Sequence, residues 1–315
     1  MSRPSPAAAT AAGLVLGAVA DLALGDPRAW HPVAGFGTLA AALERRTWRD
    51  SRAVGAGHWL VLVTGTVAAG AAADRATRHR PLPRAVLTAA ATWTVLGGTS
   101  LGRAAGRMED ALAAGDLPAA RAVLPSLAGR DPGALGEAEL VRATVESVAE
   151  NTSDAAVAPL FWGAVAGLPG LLGYRAVNTL DAMVGHRSSR YLRFGWFPAR
   201  ADDVANWLPA RLTAALTVAC APVVGGSVSG AWRTWRRDGA AHPSPNAGRC
   251  EASLAGALGL RLGGRNTYGT RVEDRPSLGD GRAPDRDDIA RATRLSRTVW
   301  LAAAALAGLA SAWRR

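Results

Sequence analysis

Three acidic residues in the stretch RATVESVAENTSD, residues 142–154, have the spacing of a single chemical site. On a helix, Glu146, Glu150 and Asp154 fall at positions i, i+4 and i+8, within one narrow stripe. Like charges at this spacing repel, and solvent relieves the repulsion poorly beside a membrane. A cation should therefore compensate them. Mg²⁺ carrying nucleotide phosphates is suited to this, because it combines a few carboxylates with phosphate oxygens.

A structural interpretation of the same residues stays open. Arg142 can pair with Glu146, and Ser153 or Asp154 can cap the helix that follows. We expect Glu146 and Glu150 to hold a metal ion, whereas both roles remain open for Asp154.

Two proline-rich loops carry the imidazoles that can act as bases. The motifs GDP and WHP fix Asp26 and His31 in a rigid turn after the first apolar segment. The motif HPSPNAG holds His242 and Asn246, and the backbone amides of a helix that follows can bind a phosphate. A lone Asp or His in a turn is usually structural. The joint placement of Asp26 and His31 at the mouth of a helix bundle makes ligand binding an equal alternative for these two residues.

A third set of polar residues lies in the segment YRAVNTLDAMVGHRSSR. Asn178 and Asp181 share a helix face at i, i+3 inside an otherwise apolar run. Polar groups at that depth are costly unless paired, so they are functional candidates. Arginines such as Arg187 and Arg275 can clamp a phosphate or a carboxylate through two hydrogen bonds.

The elements that must position these residues are membrane helices. Four apolar runs are long enough to cross a bilayer: residues 7–24, 53–73, 85–101 and 298–313. They are rich in small residues, which allow helices to pack closely in lipid. Two shorter runs, 155–168 and 212–224, end in Pro and Gly, which predicts re-entrant hairpins or broken helices. We therefore predict an all-α, polytopic integral membrane protein with its active site at the cytoplasmic face. We treat 1–315 as one domain, in segments 1–101, 102–154, 155–230, 231–297 and 298–315.

Composition restricts the chemistry. The 315 residues carry a net charge of +11, and every basic residue except histidine is arginine. The missing lysine excludes a Schiff-base lysine and a P-loop ending in Gly-Lys-Ser/Thr. Nucleic-acid binding is not expected, because no basic helix with interleaved aromatics is present. Arginine-rich loops facing anionic lipid and anionic substrates explain the charge. The two cysteines suggest neither a disulfide framework nor a zinc site, and no typical signal peptide is recognised.

Six ordered motifs together resemble one family, that of the CobD/CbiB proteins of cobalamin biosynthesis, the adenosylcobinamide-phosphate synthases. They are GDPRAWHPVAGFG, ESVAENTSDAAVAPLFW, YRAVNTLDAMVG, ARADDVANWLPARLTA, HPSPNAG and RLGGRNTYG, and they extend over residues 22–281. The resemblance implies an inner-membrane enzyme that joins adenosylcobyric acid to (R)-1-aminopropan-2-ol or its phosphate and consumes ATP with Mg²⁺. An association with other enzymes of late cobalamin synthesis is a further expectation.

The resemblance also marks positions without supplying roles. Family motif positions are occupied by Asp26, His31, Glu146, Glu150, Asn151, Asp154, Asn178, Asp181, His242, Asn246 and Arg275. Ala155, His186 and Ser189 depart from the residues expected there, which are glycine, tyrosine and an acidic residue.

The chemistry of amide formation suggests roles for these positions. A carboxylate must be activated, most simply as an acyl phosphate, before an amine can attack it. We expect Mg²⁺ at Glu146 and Glu150, together with Asp154 or Asp181. We expect phosphate or substrate at Asp26, Asn151, Asn178, Arg187, Asn246 and Arg275. His31 or His242 would accept the proton of the attacking ammonium.

Two other classes of function remain as alternatives. A transporter also uses broken helices and intramembrane polar residues, but it predicts two related halves, which the sequence does not show. A noncatalytic assembly or regulatory protein of the membrane needs neither an acidic stripe nor a nucleotide. Both alternatives share the predicted fold with the enzyme and differ from it in the use of ATP.

Overall fold

The computed structural model describes residues 5–27, 31–133, 135–268 and 271–313, most of them helical. The chain forms two compact units. The first contains Met1–Gly97, Ala158–Asn206 and Ala303–Arg315, and the second contains Gly98–Val157 and Trp207–Ala302. The segment boundaries predicted after residues 101 and 154 lie close to unit boundaries, whereas the boundary predicted after residue 230 falls inside the second unit.

The first unit consists of helices with apolar, small-residue faces. Its helices are α1 (Pro6–Leu24), α2 (Pro32–Thr47), α3 (Arg52–Thr77), α4 (Pro81–Val95), α8 (Ala158–Leu180) and α9 (Trp196–Ala205). Proline stands in the first turn of α1, α2 and α4. Backbone N–H groups in a first turn have no partner within the helix, so proline, which lacks this group, costs no hydrogen bond there. The last part of α13 (Asp287–Trp313) also belongs to this unit, from Ala303 onward.

Helices α1 and α4 run parallel and in register. Near their starts, Arg84 Nε donates to Thr10 Oγ1 at 2.7 Å, and near their ends Trp93 Nε1 donates to the carbonyl of Gly25 at 2.7 Å. Small residues form the face between them: Gly13, Gly17, Thr88 and Thr92. A Cβ on either glycine would overlap a threonine, so the backbones approach closely as in membrane helix pairs.

Helix α8 contains the break that the sequence predicts. Gly167 has φ 64° and ψ −145°, a conformation that essentially only glycine adopts, directly before Leu168-Pro169. A Cβ on Gly170 would overlap the carbonyl of Trp162, eight residues earlier. In a straight helix such residues stand about 12 Å apart. The chain therefore folds back at Gly167, and the predicted hairpin is confirmed.

The helices suit a membrane. Five helical segments of the described residues are long and apolar enough to cross one: Pro6–Leu24, Arg52–Thr77, Glu137–Gly185, Trp207–Val224 and Asp287–Trp313. Leu16, Val61 and Leu309 on these segments are 56%, 63% and 63% exposed, as expected for side chains facing lipid. The predicted polytopic membrane fold is confirmed.

One predicted span needs correction. Residues 85–101 are not one helix, because α4 ends at Val95, Leu96 is extended, and α5 (Gly98–Ala113) begins only at Gly98. The break allows α5 to start against the indole of Trp300, which leaves no room for a Cβ at Gly98. Helix α4 nevertheless lies along α1 for nearly its full length.

The second unit is also mainly helical. Its elements are α5, α6 (Leu117–Val123), a 3₁₀ turn (Leu124–Ser126), α7 (Glu137–Thr152), a π-helical turn (Ser153–Val157), α10 (Trp207–Cys220), a 3₁₀ turn (Ala221–Val224), α11 (Val228–Asp238), α12 (Ala247–Leu258) and the first part of α13. The second predicted break is confirmed. After the 3₁₀ turn, Gly225 adopts a left-handed conformation, and α11 packs back on α10 and α12.

A β-hairpin is the element that the all-α prediction omits. Strands β1 (Leu262–Tyr268) and β2 (Arg271–Leu278) pair antiparallel, with a register shift between Leu262 and Gly264. Both Gly263 and Gly264 have positive φ. This irregularity brings the amide of Gly263 to Glu146 of α7.

Candidate active site

The predicted acidic stripe lies on one continuous helical path. Glu146 and Glu150 are one turn apart in α7, and Asp154 follows in the π-helical turn that leads into α8. Ser153 and Asp154 lie within this path, and the choice between a capping and a metal-binding role for Asp154 stays a prediction. The π turn shifts Asp154 away from the ideal i+8 position.

Glu146 is buried and surrounded by donors. Its side chain is 2% exposed; Oε2 accepts from Arg130 Nη2, and Oε1 accepts from the amide of Gly263 at 2.7 Å. The guanidinium of Arg142 lies 3.7 Å from Oε1, so the predicted Arg142–Glu146 pair is present. Arg142 also donates to the carbonyls of Gly263 and Arg265, which ties β1 to α7. The positive charge beside Glu146 thus comes from arginines.

Glu150 is less constrained. It is partly buried, and no salt bridge to it exists among the described residues. The charges that act on it favourably belong to Arg275 and Arg130, and Glu146 opposes them. Burial and the charge of Glu146 thus disfavour the ionised form of Glu150, and the two arginines favour it.

His242 is a buried, neutral imidazole. Its Nδ1 accepts from the amide of Ser244 at 3.0 Å, while Nε2 lies 2.9 Å from Arg275 Nη1 and 3.8 Å from Glu251 Oε1. Burial, followed by the charge of Arg275, lowers the pKa of His242 to about 4. A neutral imidazole has one acceptor nitrogen, so Ser244 and Arg275 compete for it. When the ring proton lies at Nε2, Glu251 is the acceptor that faces it.

Glu251 is a component of this cluster to which sequence analysis assigns no role. It lies on α12, nearly all of whose residues are buried, and is itself 1% exposed. Burial raises the pKa of Glu251 well above its usual value, and the charges of Glu146 and Glu150 raise it further. The only sequence signal is one acidic residue in the apolar run CEASLAGALGL.

The start of α12 differs from the predicted phosphate site. Asn246 is the N-cap, but its side chain makes no capping hydrogen bond. Instead Ser244 Oγ accepts from the amides of Asn246 and Ala247 at 3.3 and 3.2 Å. Asn246 Oδ1 lies 3.5 Å from Arg211 Nη1. The first amide of α12, that of Ala247, is therefore capped by a side chain, and phosphate binding at this helix start stays a prediction.

The carboxylates available as metal ligands limit how the predicted Mg²⁺ could be bound. Among the described residues, no group of three or more His, Cys, Asp or Glu side chains is arranged to hold a metal ion. Burial, then the charges of Asp154 and Glu150, raises the pKa of the Cys250 thiol, which places both carboxylates near that residue. One or two carboxylates suit an ion that also binds nucleotide phosphates. Asn151, by contrast, donates back to Ser147 within α7.

The remaining predicted residues belong to the first unit. His31 caps α2, with Nδ1 accepting from the amide of Val33 at 3.2 Å, and Asp26 is partly buried after α1. Arg187 is exposed beyond the π-helical turn Asp181–Gly185 that extends α8. These residues and the Glu146 cluster lie in different units, so their predicted convergence stays a prediction.

Asn178 takes part in a polar network. Arg175 Nη1 donates to Asn178 Oδ1 at 3.3 Å, and Asn178 Nδ2 donates to Asp202 Oδ1 at 3.3 Å. The side-chain Nδ2 of Asn206 donates to Asp202 Oδ2 at 2.9 Å, and the hydroxyl of Tyr174 donates to Asn206 Oδ1 at 2.8 Å. Sequence analysis singles out Asn178 but does not predict this network, because its members come from two separate stretches of the chain.

Comparisons with known proteins agree with the motifs. The CobD/Cbib protein family matches residues 14–296. Cobalamin biosynthesis protein CobD of Mycobacterium tuberculosis is 56% identical over 297 residues, 94% of each chain. The protein of that name from Geobacter metallireducens is 47% identical over 281 residues, 87% of this chain and 88% of its own. That from Rhodobacter capsulatus is 40% identical over 308 residues, 95% of this chain and 96% of its own.

No solved structure matches the chain. The family match covers most of the sequence and includes every motif from WHP to RLGGRNTYG. The chain belongs to the CobD/Cbib protein family.

Proposed function

We propose that this protein acts in cobalamin biosynthesis by forming an amide bond between adenosylcobyric acid and (R)-1-aminopropan-2-ol or its O-phosphate, with consumption of ATP. Membership of a family whose curated members are named cobalamin biosynthesis proteins supports the pathway. The observation that carries the chemistry is the buried cluster of carboxylates, arginines and a neutral imidazole in the second unit. Such a cluster suits a reaction in which phosphate charge is neutralised and a proton is removed.

The proposed reaction has two steps. A carboxylate oxygen of the corrinoid attacks the γ-phosphorus of ATP, which gives an acyl phosphate and ADP. The amine nitrogen then attacks the acyl carbon, phosphate leaves, and the C–N bond forms. The ammonium of the substrate must lose protons for this attack.

The residues of the cluster can be given roles in these steps. Arg275 binds the anionic group being transferred. In the tautomer with an unprotonated Nε2, His242 accepts the proton. We favour His242 over His31 because His242 lies 2.9 Å from Arg275, the residue proposed to bind the transferred group.

Glu150 and Asp154 would hold Mg²⁺ delivered with the nucleotide, which would neutralise phosphate charge. We leave Glu146 out of this set, although its spacing suggests it, because both of its oxygens already accept hydrogen bonds. We propose that it positions Arg130 and β1.

The test uses the purified full-length protein with cobyric acid, aminopropanol phosphate and Mg-ATP, followed by mass spectrometry of the corrinoid and measurement of ADP. We expect the amide product with equimolar ADP. Glu150→Gln should lose product while its elution and unfolding match the wild type. Glu137→Gln, an exposed residue of the same helix, is the control. No product, or ADP release independent of the corrinoid, would refute the ligase and leave the transporter as the competing function.

A further inference from the structure

A groove of about 770 Å³ lies in the second unit, and Glu146, His242 and Glu251 are not among the residues that line it. Helix α11, the end of α12 and the loop around Gly281 form its walls. Its volume falls in the range of sites for small molecules and cofactors, about 300–1,000 Å³. The side chains that matter for binding are Trp232, Arg233 and Arg236.

The groove has an excess of positive charge. Arg237 is neutralised by Asp238 and Asp280, at 2.7 and 3.0 Å. Arg233 and Arg236 form no ion pair among the described residues. Arg236 lies over the ring of Trp232 at 5.6 Å, and Trp232 is 49% exposed. Two arginines and an indole thus face one concave surface.

The walls are held in place without a ligand. Asp238 Oδ2 accepts from the amide of Gly279 at 2.8 Å, which ties the end of α11 to the loop. A Cβ on Gly281 would overlap the carbonyl of Gly259, so the loop lies directly against the end of α12. A site formed before binding avoids the entropy cost of ordering.

The composition of the chain narrows the ways in which it can bind phosphate. Without lysine, long side-chain cations must come from arginine. In the buried cluster, Arg130 and Arg142 are already engaged by Glu146. Within the part of the chain that the structure describes, Arg233 and Arg236 therefore line a cavity with guanidinium groups not committed to a carboxylate.

We propose that this groove binds a nucleoside triphosphate, with Arg233 and Arg236 on the phosphates and the indole of Trp232 against the base. The planar guanidinium groups match phosphate oxygens, and an indole face stacks on a purine. The inference rests on the proposed use of ATP: the groove would hold the base and the inner phosphates, and the γ-phosphate would be left for Arg275 and Mg²⁺. Ala255 of the groove lies one turn along α12 from Glu251 of that cluster. A lipid headgroup offers the same phosphate chemistry, and the experiment separates the two sources.

The probe is ATP carrying an N-methylanthraniloyl group, which is excited by energy transfer from tryptophan. Binding is measured on the full-length protein in nanodiscs of zwitterionic lipid. We expect the Kd to rise about tenfold for each arginine removed in Arg233→Gln/Arg236→Gln, from the loss of a charged hydrogen bond. Trp232→Phe should reduce the transfer signal. The matched control is Arg107→Gln/Arg286→Gln, two exposed arginines outside the groove.

The outcomes are distinct. An unchanged Kd in the Arg233/Arg236 variant, with ATP still consumed by the wild type, would overturn the groove assignment and leave the ligase intact. If the wild-type protein does not consume ATP in a corrinoid-dependent way, the proposed function itself is wrong. If the double variant alters only attachment to vesicles of phosphatidylglycerol, the groove is a headgroup site and the nucleotide assignment is wrong. Unfolding midpoints of both double variants should equal that of the wild type.

Discussion

Glu146 and Glu150 are one helical turn apart in α7, yet their surroundings give them different tasks. Glu146 satisfies a buried guanidinium and a backbone amide, whereas Glu150 has no such partner among the described residues. Removing one partner of a buried ion pair leaves the other charge uncompensated, which costs about 3–5 kcal/mol. Glu146→Gln should therefore lower the free energy of unfolding by about that amount, because Arg130 loses its counter-charge.

The measurement is the unfolding midpoint of the purified protein in detergent, compared with Glu150→Gln and Glu137→Gln. Glu150→Gln should unfold near the wild-type midpoint and lack activity. A wild-type midpoint for Glu146→Gln would mean that Arg130 does not depend on this carboxylate. If Glu150→Gln is destabilised and Glu146→Gln is not, then Glu150 has the structural role and the role assigned here to Glu146 is wrong.

His242 and Glu251 should affect stability in opposite senses as pH changes. The unfolded imidazole titrates near its ordinary 6.5 and the folded one at about 4. Acidification from 6.5 toward 4 therefore protonates the unfolded chain first and lowers stability, by up to about 3 kcal/mol. The raised pKa of Glu251 acts in reverse: the unfolded carboxyl loses its proton first, so stability falls as pH rises above about 4.5. Arg275, Arg130 and Glu146 face both groups.

Unfolding midpoints between about pH 4 and about pH 7 test this assignment through two variants. His242→Gln should lose less stability than the wild type on acidification, whereas Glu251→Gln should lose less on the way to neutral pH. Parallel profiles for the wild type and both variants would contradict the assigned shifts.

Single residues show how far the sequence predicts the site. The i, i+4 spacing of Glu146 and Glu150 depends only on helix geometry, so the stripe and the Arg142 pair can be predicted locally. Glu251 and Arg130 cannot, since their importance comes from burial beside groups far away in the chain. The capping role of Ser244 also escapes prediction, because the motif HPSPNAG offers two candidate caps.

The fold-back in α8 depends on one backbone conformation. At φ 64° and ψ −145°, a Cβ on Gly167 is strained and also lies 3.2 Å from the carboxylate of Asp74. Gly167→Ala should destabilise the protein by about 1–3 kcal/mol. Gly65→Ala, on an exposed helical position with open space, is the control and should be neutral or stabilising by about 0.5–1 kcal/mol. Equal unfolding midpoints for the two variants would mean that the turn at Gly167 does not require glycine.

Elements can be predicted where their signals are local. Proline and glycine mark both hairpin turns, which the structure has at Gly167 and Gly225. The split between α4 and α5 escapes prediction, because the apolar run continues across it and only packing against Trp300 shows where α5 begins. The β-hairpin escapes prediction because RLGGRNTYG lacks alternating apolar residues, and hydrogen bonds from Arg142 fix the position of its first strand.

At the scale of the whole molecule, the parallel packing of α1 and α4 determines which loops share a side of the membrane. Because both helices run in the same direction, Gly25 and Val95 lie at the same end, and the connection between α3 and α4 lies at the other. The arginines near that connection argue against its being outside, by the preference for positive charge in the cytoplasm. Arg84, however, is paired with Asp74 at 2.7 Å, so one arginine fewer contributes positive charge at this connection.

Cysteine labelling with a membrane-impermeant reagent on intact cells tests this arrangement. In a background with Cys220 and Cys250 replaced by serine, Asp50→Cys before α3 should be labelled only after the membrane is opened. His79→Cys, at the opposite end of α3, should be labelled in intact cells. Both positions are exposed, so accessibility does not differ between them for other reasons. Labelling of both positions in intact cells would show that α3 does not cross the membrane. Labelling of Asp50→Cys alone in intact cells would place the end of α1, and Asp26 after it, on the outer side, and a cytoplasmic role for Asp26 would then be untenable.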